Sequence, residues 1–280
     1  MLGAIIGDLI GSVYEYNEYQ DLVNETVNIE RRKSMLQKST GELLNSECFF
    51  SDDTVLTIAI ADAIIHEECY AQKLKEYGKK YLHINEGKSN YFPRSFSENF
   101  QKWLNSNGQG ESDGNGAAMR VSPVGFLFND LEMVQYEAIK SARPSHNSAS
   151  ALTGAMALAS AIYLARNNCD KYEIKEYTQN VFRLNLALNL ETLQYTNLFN
   201  PTCDVTVAQA IFVFLQSNDF EDAIKKSLSI GGDTDTIASM VGALSEAYYG
   251  IPKNYLKRVE KFDIPKEFWD VLDLAYEKCC

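Results

Sequence analysis

Helical spacing of apolar residues is the strongest constraint on the fold of this chain. Apolar side chains recur three and four residues apart along most of the sequence, and strand-like alternation is scarce. That spacing places the side chains on one face of an α-helix. The two clearest stripes are Leu56, Ile60, Ala63 and Ile64, and Ile237, Val241, Leu244 and Tyr248. We therefore predict an all-α protein.

The same pattern predicts further helices and the loops between them. The expected helices lie near residues 2–13, 71–83, 95–106, 117–128, 130–141, 147–167, 171–188, 203–216, 219–229, 253–261 and 265–278. The expected loops are 16–48, 84–94, 105–116 and 189–202, and the first is long enough to predict a lid or a binding loop. No linker divides the sequence, so we expect a single domain over residues 1–280.

The composition disfavours several classes of function. The 280 residues carry a net charge of −12, and a field of that sign repels a phosphate backbone, which disfavours nucleic acid as a partner. The six cysteines form no CxxC pair, so we expect no structural zinc site. The longest apolar stretch, near residues 149–165, falls short of the roughly 20 apolar residues that a membrane span needs. We expect a cytoplasmic monomer that contacts no membrane.

Two short acidic segments stand directly before the two clearest helices. They are Ser51-Asp52-Asp53-Thr54 and Asp233-Thr234-Asp235-Thr236. One such segment alone is explained by N-capping, because Ser, Thr and Asp accept hydrogen bonds from free N–H groups of a first helical turn. Four carboxylates exceed what two helix starts require, and they would need cations if they converged. Hard oxygen ligands without His or Cys suit Mg²⁺, Mn²⁺ or Ca²⁺, so the pair of segments predicts a site for one or two such ions.

A loop of small residues precedes another apolar segment. Its sequence is Gly114-Asn115-Gly116-Ala117-Ala118-Met119-Arg120. Small residues let a ligand approach the backbone closely, and free N–H groups at a helix start bind phosphate oxygens. The loop is therefore a candidate for binding an anionic nucleotide. The alternative is a flexible turn in which Asn and Gly supply positive φ angles.

Two single residues are candidates for proton transfer or ligand binding. Asp8 and Glu15 are seven residues apart, so one helix would carry both on the same face, where Glu15 could donate a proton or activate a water molecule. His146 stands at the expected start of a helix, which disfavours a charged imidazole and leaves a hydrogen-bond donor for a ligand. An exposed glutamate and a structural histidine are the alternative interpretations.

These segments together resemble a known family. Gly7-Asp8-x-x-Gly11, Ser51 to Thr54, Gly114 to Arg120, Ser145-His146 and Gly231-Gly232-Asp233-Thr234-Asp235-Thr236 occur in the order typical of the ADP-ribosylglycohydrolase family, the group of the dinitrogenase reductase-activating glycohydrolase. The resemblance implies a compact orthogonal multi-helix bundle of that family's type, with two Mg²⁺ ions, or Mn²⁺, in a cleft. It also implies an enzyme that hydrolyses the bond between ADP-ribose and a modified protein side chain or a related conjugate.

The resemblance further implies roles for individual residues. The metal ligands would be Ser51, Asp52, Asp53, Asp233, Asp235 and Thr236, and of these Asp52, Asp53 and Asp235 would also be catalytic. The residues that bind ADP-ribose would be Asn115, Gly116, Ala117, Met119 and Gly232, with His146 near the diphosphate. Glu15 falls where the serine-directed branch carries its catalytic glutamate, and Asp113 is the reserve candidate for proton transfer.

The sequence leaves the substrate and one rival function open. The acceptor linkage, whether to Arg, Ser, a polymer, a nucleotide or a small ester, is not predicted, because the expected loops 16–48 and 189–202 match no pattern. The rival function is a non-catalytic ADP-ribose-binding or crystallin-like structural protein. Complete acidic segments and Glu15 favour the hydrolase over this rival.

Overall fold

Helices make up the regular structure in a computed structural model of the protein. The structure describes residues 1–23, 27–28, 30, 43–85 and 95–279, with side chains omitted for 16–23. Within these ranges it contains no β-strand, and the extended pairings are two isolated bridges, Glu111 with His146 and Gly114 with Thr202. The prediction of an all-α fold is therefore confirmed. Most of the predicted loops 16–48 and 84–94 lies outside the described residues.

The helices are numbered here in chain order. They are α1 (Leu2–Val23), α2 (Asp52–Ile65), α3 (Tyr70–Lys80), α4 (Glu98–Leu104), α5 (Gly116–Met119), α6 (Ser122–Leu127), α7 (Leu131–Ala142), α8 (Ala149–Arg166), α9 (Lys171–Phe182), α10 (Leu190–Thr196), α11 (Cys203–Gln216), α12 (Phe220–Ile230), α13 (Thr234–Tyr249), α14 (Lys253–Val259) and α15 (Lys266–Cys279).

Two predicted loops contain helical residues. The prediction of a loop at 16–48 was wrong at its start, because α1 continues to Val23. The predicted loop 189–202 contains α10, which begins where the Asn189 side chain accepts a hydrogen bond from the Thr192 N–H at 2.8 Å. No residue of α10 is fully buried, and the two leucines that pack against the core, Leu190 and Leu193, are too few to give a periodic apolar pattern. Polar surface helices of this kind are the ones that the sequence pattern misses.

Helix α1 packs against α13 through a row of glycines. Gly3, Gly7 and Gly11 lie four residues apart and therefore on one face of α1. A Cβ atom on Gly7 would lie 2.0 Å from the carbonyl oxygen of Ala238, and one on Gly11 would lie 2.4 Å from the Cα atom of Asp235. Only glycine permits the two backbones to approach so closely. The row brings the acidic start of α13 directly against α1.

Helix α8 is the apolar stretch that the sequence places at 149–165. In the described part of the chain it is the one helix long and apolar enough to cross a membrane, with a mean hydropathy of 1.2. It packs against α7, α11, α6 and α13, and 56% of its length is buried inside the protein. In this fold α8 is a helix of the core.

Candidate active site

The two acidic segments begin α2 and α13, and capping explains only one of their residues. Ser51 is the N-cap of α2, and its hydroxyl accepts a hydrogen bond from the Asp53 N–H at 3.2 Å. Asp233 is the N-cap of α13, but its side chain makes no capping hydrogen bond. The aspartates of both segments are therefore available for another function.

Carboxylates from three helices converge between α1, α2 and α13. Oxygen atoms of Asp8, Asp53 and Asp235 lie within 4.8 Å of one another, and so do those of Glu15, Asp233 and Asp235. The aspartates of these two groups are buried and Glu15 is half-buried. Asp235 belongs to both groups. We call Asp8, Glu15, Asp52, Asp53, Asp233 and Asp235 the carboxylate cluster.

Asp8 is the one member of the cluster that is absent from both the predicted metal ligands and the predicted catalytic residues. Its carboxylate accepts hydrogen bonds from the Ser51 N–H at 2.9 Å, from the Ser51 hydroxyl at 2.8 Å and from the Thr54 N–H at 3.1 Å. It is fully buried in the middle of an apolar segment of α1. In the sequence, Asp8 is recognisable because it is the one carboxylate within the apolar residues 1–13. Asp8 joins the first turn of α2 to α1.

Polar neighbours satisfy part of the cluster and leave one oxygen without a partner. The Thr236 hydroxyl donates to Asp53 Oδ2 at 3.1 Å, and the Asn115 amide donates to Asp233 Oδ2 at 2.7 Å. Asp53 Oδ1 is buried and has no hydrogen-bond partner among the described residues. An anionic oxygen left unpaired in the interior is costly unless a cation contacts it. The donor set is composed of oxygens alone, which fits a hard divalent cation.

The electrostatics of the cluster favour a bound cation as well. Burial, and then the charge of Asp235, raise the pKa of Asp8 to about 7 and the pKa values of Glu15, Asp52 and Asp53 well above their usual range. None of the salt bridges in the described ranges reaches these carboxylates. The charge of Arg120 offsets only part of the effect at Asp52, so within these ranges protons or bound cations are needed to neutralise the cluster.

A cleft of about 370 Å³ opens onto the cluster, a volume within the range of small-molecule sites. Carboxylates of the cluster form one wall, and the loop from Gly114 to Met119 forms another together with His146. Aromatic side chains that the sequence did not single out complete the lining: Phe49, Phe96, Phe100 and Phe199. The cleft can therefore hold a ligand that is polar at one end and offers a flat surface for stacking elsewhere.

The small-residue loop is held firmly in place. The Asn115 N–H donates to the Pro201 carbonyl at 2.8 Å, and the Cys203 N–H donates to the Asp113 carbonyl at 3.0 Å. The glycines with positive φ in the described part of the chain are Gly231, Gly232 and Gly250, so the alternative of a turn with positive φ is wrong for this loop. Close approach explains Gly116, because a Cβ there would lie 2.8 Å from His146 Nε2.

Most of the predicted site residues line the cleft, and two do not. Asn115, Gly116 and Met119 are on its wall, as is the reserve candidate Asp113. Ala117 is fully buried, in a turn that packs against α8. Gly232 has φ +84° and lies at the turn into α13, where a Cβ would meet the Asn197 amide at 2.7 Å. Gly232 therefore shapes the turn that sets Asp233 and Asp235 in place.

Comparisons with known proteins point to one family. The family model described as ADP-ribosylglycohydrolase matches residues 1–279. The ADP-ribosylhydrolase ARH3 of Mus musculus is 24% identical over 94% of this chain and 87% of its own. The ADP-ribosylarginine hydrolase Tri1 of Pseudomonas putida is 23% identical over 92% of this chain and 72% of its own.

A solved structure shows the same fold. The ADP-ribosylglycohydrolase-related protein complex superposes with a TM-score of 0.67 at 18% identity, and the match covers 100% of this chain and 96% of that chain. The fold likeness and the family match extend over the helices that carry the carboxylate cluster. Because the match takes in nearly every residue, the chain belongs to the ADP-ribosylglycohydrolase family.

Proposed function

We propose that the protein is a hydrolase dependent on divalent metal ions that removes ADP-ribose from a modified protein side chain or a related ADP-ribosyl conjugate. The observation that carries this proposal is the convergence of buried carboxylates, with one orphaned oxygen, on the floor of a cleft. Membership of a hydrolase family supports it. The proposal includes a cytoplasmic monomer that acts without nucleic acid or membrane.

The cluster has the composition of a site for two Mg²⁺ ions, or Mn²⁺. Its two carboxylate groups share Asp235, so this residue could contribute to both parts of the site. Ser51, Asp52, Asp53, Asp233, Asp235 and Thr236 would hold the ions, and Asp8 joins them by its position in the first group. When bound, such ions orient the ribose hydroxyls and a water molecule.

Glu15 is our candidate for proton transfer at the scissile bond. Cleavage of a ribosyl bond passes through an oxocarbenium-like state, and a carboxyl group must protonate the leaving group or deprotonate the water. Glu15 lines the cleft and is half-buried beside Asp235. Without bound cations, burial and that neighbouring charge raise the pKa of Glu15 above its usual range. Asp113 remains the reserve.

The loop side of the cleft would hold the ADP-ribose. Gly114 and Gly116 line the cleft, and the His146 ring packs against Gly116 in the space that a side chain there would fill. The Asn115 side chain is hydrogen-bonded to Asp233, so it connects the loop to the carboxylate cluster. A displacement of the loop would therefore also displace Asp233, one of the residues proposed to hold the cations.

Release of free ADP-ribose from defined conjugates tests the proposal. The panel contains arginine-linked, serine-linked, polymeric and nucleotide-linked ADP-ribose, each assayed with Mg²⁺, with EDTA and with Asp235→Ala. We expect release from at least one linkage in Mg²⁺ and none in EDTA or with the variant. ADP-ribose binding without release from any member would instead support the rival binding protein, which the family membership and the complete cluster disfavour.

A further inference from the structure

Arg120 is a fully buried cation behind the loop wall of the cleft. Its Nη2 atom donates to the Ser141 carbonyl at 3.2 Å, near the end of α7, and to the Ser145 hydroxyl oxygen at 2.8 Å. A guanidinium group has donors and no acceptor, so it can only donate in these contacts. The carbonyl contact closes the end of α7, as cations at helix C-termini commonly do. The contact with Ser145 has no such structural explanation.

The direction of the hydrogen bonds through Ser145 follows from that contact. The Ser145 oxygen accepts from Arg120, and it lies 2.8 Å from His146 Nδ1. Ser145 is buried, and its hydroxyl meets no other acceptor in the part of the chain that the structure describes. The hydroxyl hydrogen therefore points at Nδ1, which must accept it. A neutral imidazole that accepts at Nδ1 carries its own proton on Nε2.

The Nε2 atom is the one that faces the loop wall of the cleft. It lies 2.8 Å from the position of a Cβ on Gly116 and 3.8 Å from that of a Cβ on Gly114. His146 lines the same cleft as these glycines and as Asn115. Burial, and then the charge of Arg120, lower the pKa of His146 well below its usual value, so the ring is neutral at neutral pH.

We infer that Arg120 is a positioning residue that acts through Ser145 to hold His146 as the tautomer with its proton on Nε2. The ring then presents a fixed N–H donor to an oxygen of the substrate, with no competition from the opposite tautomer. This role deepens the proposed function and rests on it, because the donor matters only if a ligand with acceptor oxygens enters the cleft. The class of ligand group that fits a neutral donor beside two glycines is a phosphate or hydroxyl oxygen.

The tautomer is measured directly by ¹⁵N NMR of the imidazole rings in the full-length protein without substrate. The chain has three histidines, His66, His83 and His146, and a His146→Gln variant assigns the third. We expect His146 Nδ1 to show the shift of an unprotonated nitrogen and Nε2 that of a protonated one. A protonated Nδ1 in the wild-type protein overturns the inference, whatever the variants do.

The variants separate positioning from general support of the fold. Ser145→Ala removes the hydroxyl, and Ser141→Ala is the matched control, because Ser141 is fully buried four residues away and, among the described residues, its hydroxyl bonds only the Ala138 carbonyl at 2.9 Å. We expect Ser145→Ala to give a mixture of tautomers and to weaken ADP-ribose binding by about tenfold, the effect of one hydrogen bond. Ser141→Ala should change neither. An unchanged tautomer in Ser145→Ala overturns the inference.

The two proposals fail in different ways. The NMR measurement needs no turnover, so a protonated Nε2 in a protein that cleaves no conjugate supports the inference about His146 while contradicting the proposed hydrolase. A protein that cleaves a conjugate but carries its His146 proton on Nδ1 supports the hydrolase and overturns the inference.

Discussion

Helix α2 has a buried carboxylate at each end, and the two ends differ in what surrounds the charge. Near the C-terminal end, Asp62 lies 2.9 Å from Lys73 Nζ, 2.6 Å from His66 Nδ1 and 3.1 Å from the Tyr77 hydroxyl. At the N-terminal end, Asp53 Oδ2 accepts hydrogen bonds from the Thr236 hydroxyl at 3.1 Å and the Ser51 hydroxyl at 3.5 Å, and Asp53 Oδ1 has no partner among the described residues.

The contrast shows which buried charge points to a ligand. Asp62 is 5% exposed and Asp53 is 2% exposed, so burial does not distinguish them. The cation is the difference, because Lys73 compensates Asp62 inside the fold and no salt bridge of the described chain compensates Asp53. A buried anion that the fold itself pairs is structural, and one that the fold leaves unpaired needs something from solution.

The largest effect we expect comes from Asp235→Asn. Asp235 belongs to both carboxylate groups, so its loss should lower kcat by roughly 10³-fold or more, the equivalent of several kcal/mol of lost cation-assisted stabilisation. In EDTA the same variant should melt at a higher temperature than the wild type, because one repelling charge is gone. Activity assays and thermal melts check the two halves. A variant that loses stability in EDTA would contradict our view of the cluster as an uncompensated site.

Glu15→Gln should have the next largest effect. Loss of a general acid or base costs on the order of 10²–10⁴-fold in rate, while ADP-ribose binding should change by only a few-fold. Asp113→Asn is the matched variant, since Asp113 lines the same cleft outside the two carboxylate groups. We expect Asp113→Asn to keep turnover within a few-fold. The opposite ranking of the two variants would assign proton transfer to Asp113.

Asp62→Asn should act on stability and leave chemistry intact. The change removes the Lys73 partner at 2.9 Å but leaves the more exposed Glu68 and Glu76 at 3.4 and 3.5 Å, so it should cost about 2 kcal/mol of the free energy of unfolding, measured by urea denaturation. Turnover per folded molecule should stay near that of the wild type. Asp270→Asn is the control, because it breaks the exposed pair with Lys266 and should cost at most about 1 kcal/mol. If Asp62→Asn lowered kcat as much as Asp235→Asn does, the conclusion that the two ends of α2 have different roles would be wrong.

The smallest effect concerns pH and metal together. In the metal-free protein the pKa of Asp8 is about 7, against about 3.9 for an unfolded aspartate, so the folded state binds more protons between these values. Its contribution to the free energy of unfolding therefore falls as pH rises through that window. Mg²⁺ replaces the protons, so the rise in Tm on adding Mg²⁺ should be larger at about pH 8 than at about pH 5. Asp235→Asn should flatten this difference, and an equal rise at both pH values would argue against cation binding at the cluster.

The sequence alone predicts those parts of the site whose residues are neighbours in the chain. The acidic segments and the small-residue loop are each continuous, and each precedes a helix that an apolar stripe identifies. The capping of α2 by Ser51 follows from the local sequence. The closeness of Glu15 to Asp235 follows from helix geometry only once α1 and α13 are known to be in contact. The all-α fold follows from the same periodicity.

The rest depends on contacts between distant segments. Asp8 becomes part of the cluster only because Ser51 and Thr54, at the start of α2, donate four hydrogen bonds to it from 43 to 46 residues away. Periodicity did not show α10 or the continuation of α1 to Val23. Close approach of a ligand at Gly116 stays a prediction, and the contact that the structure shows there is with the His146 ring, which no local pattern indicates.

The glycine row on α1 has a consequence for how this protein can change over generations. Where side chains separate two helices, a substitution can be absorbed by a new rotamer or a neighbour of different size. The atoms nearest to Gly7 at Ala238 are main-chain atoms, so no side chain there can move to make room for a larger residue. We therefore expect substitutions elsewhere in the core to leave the distance between Asp8 and Asp235 unchanged. A library of random substitutions at Gly3, Gly7 and Gly11 should recover glycine and nothing else.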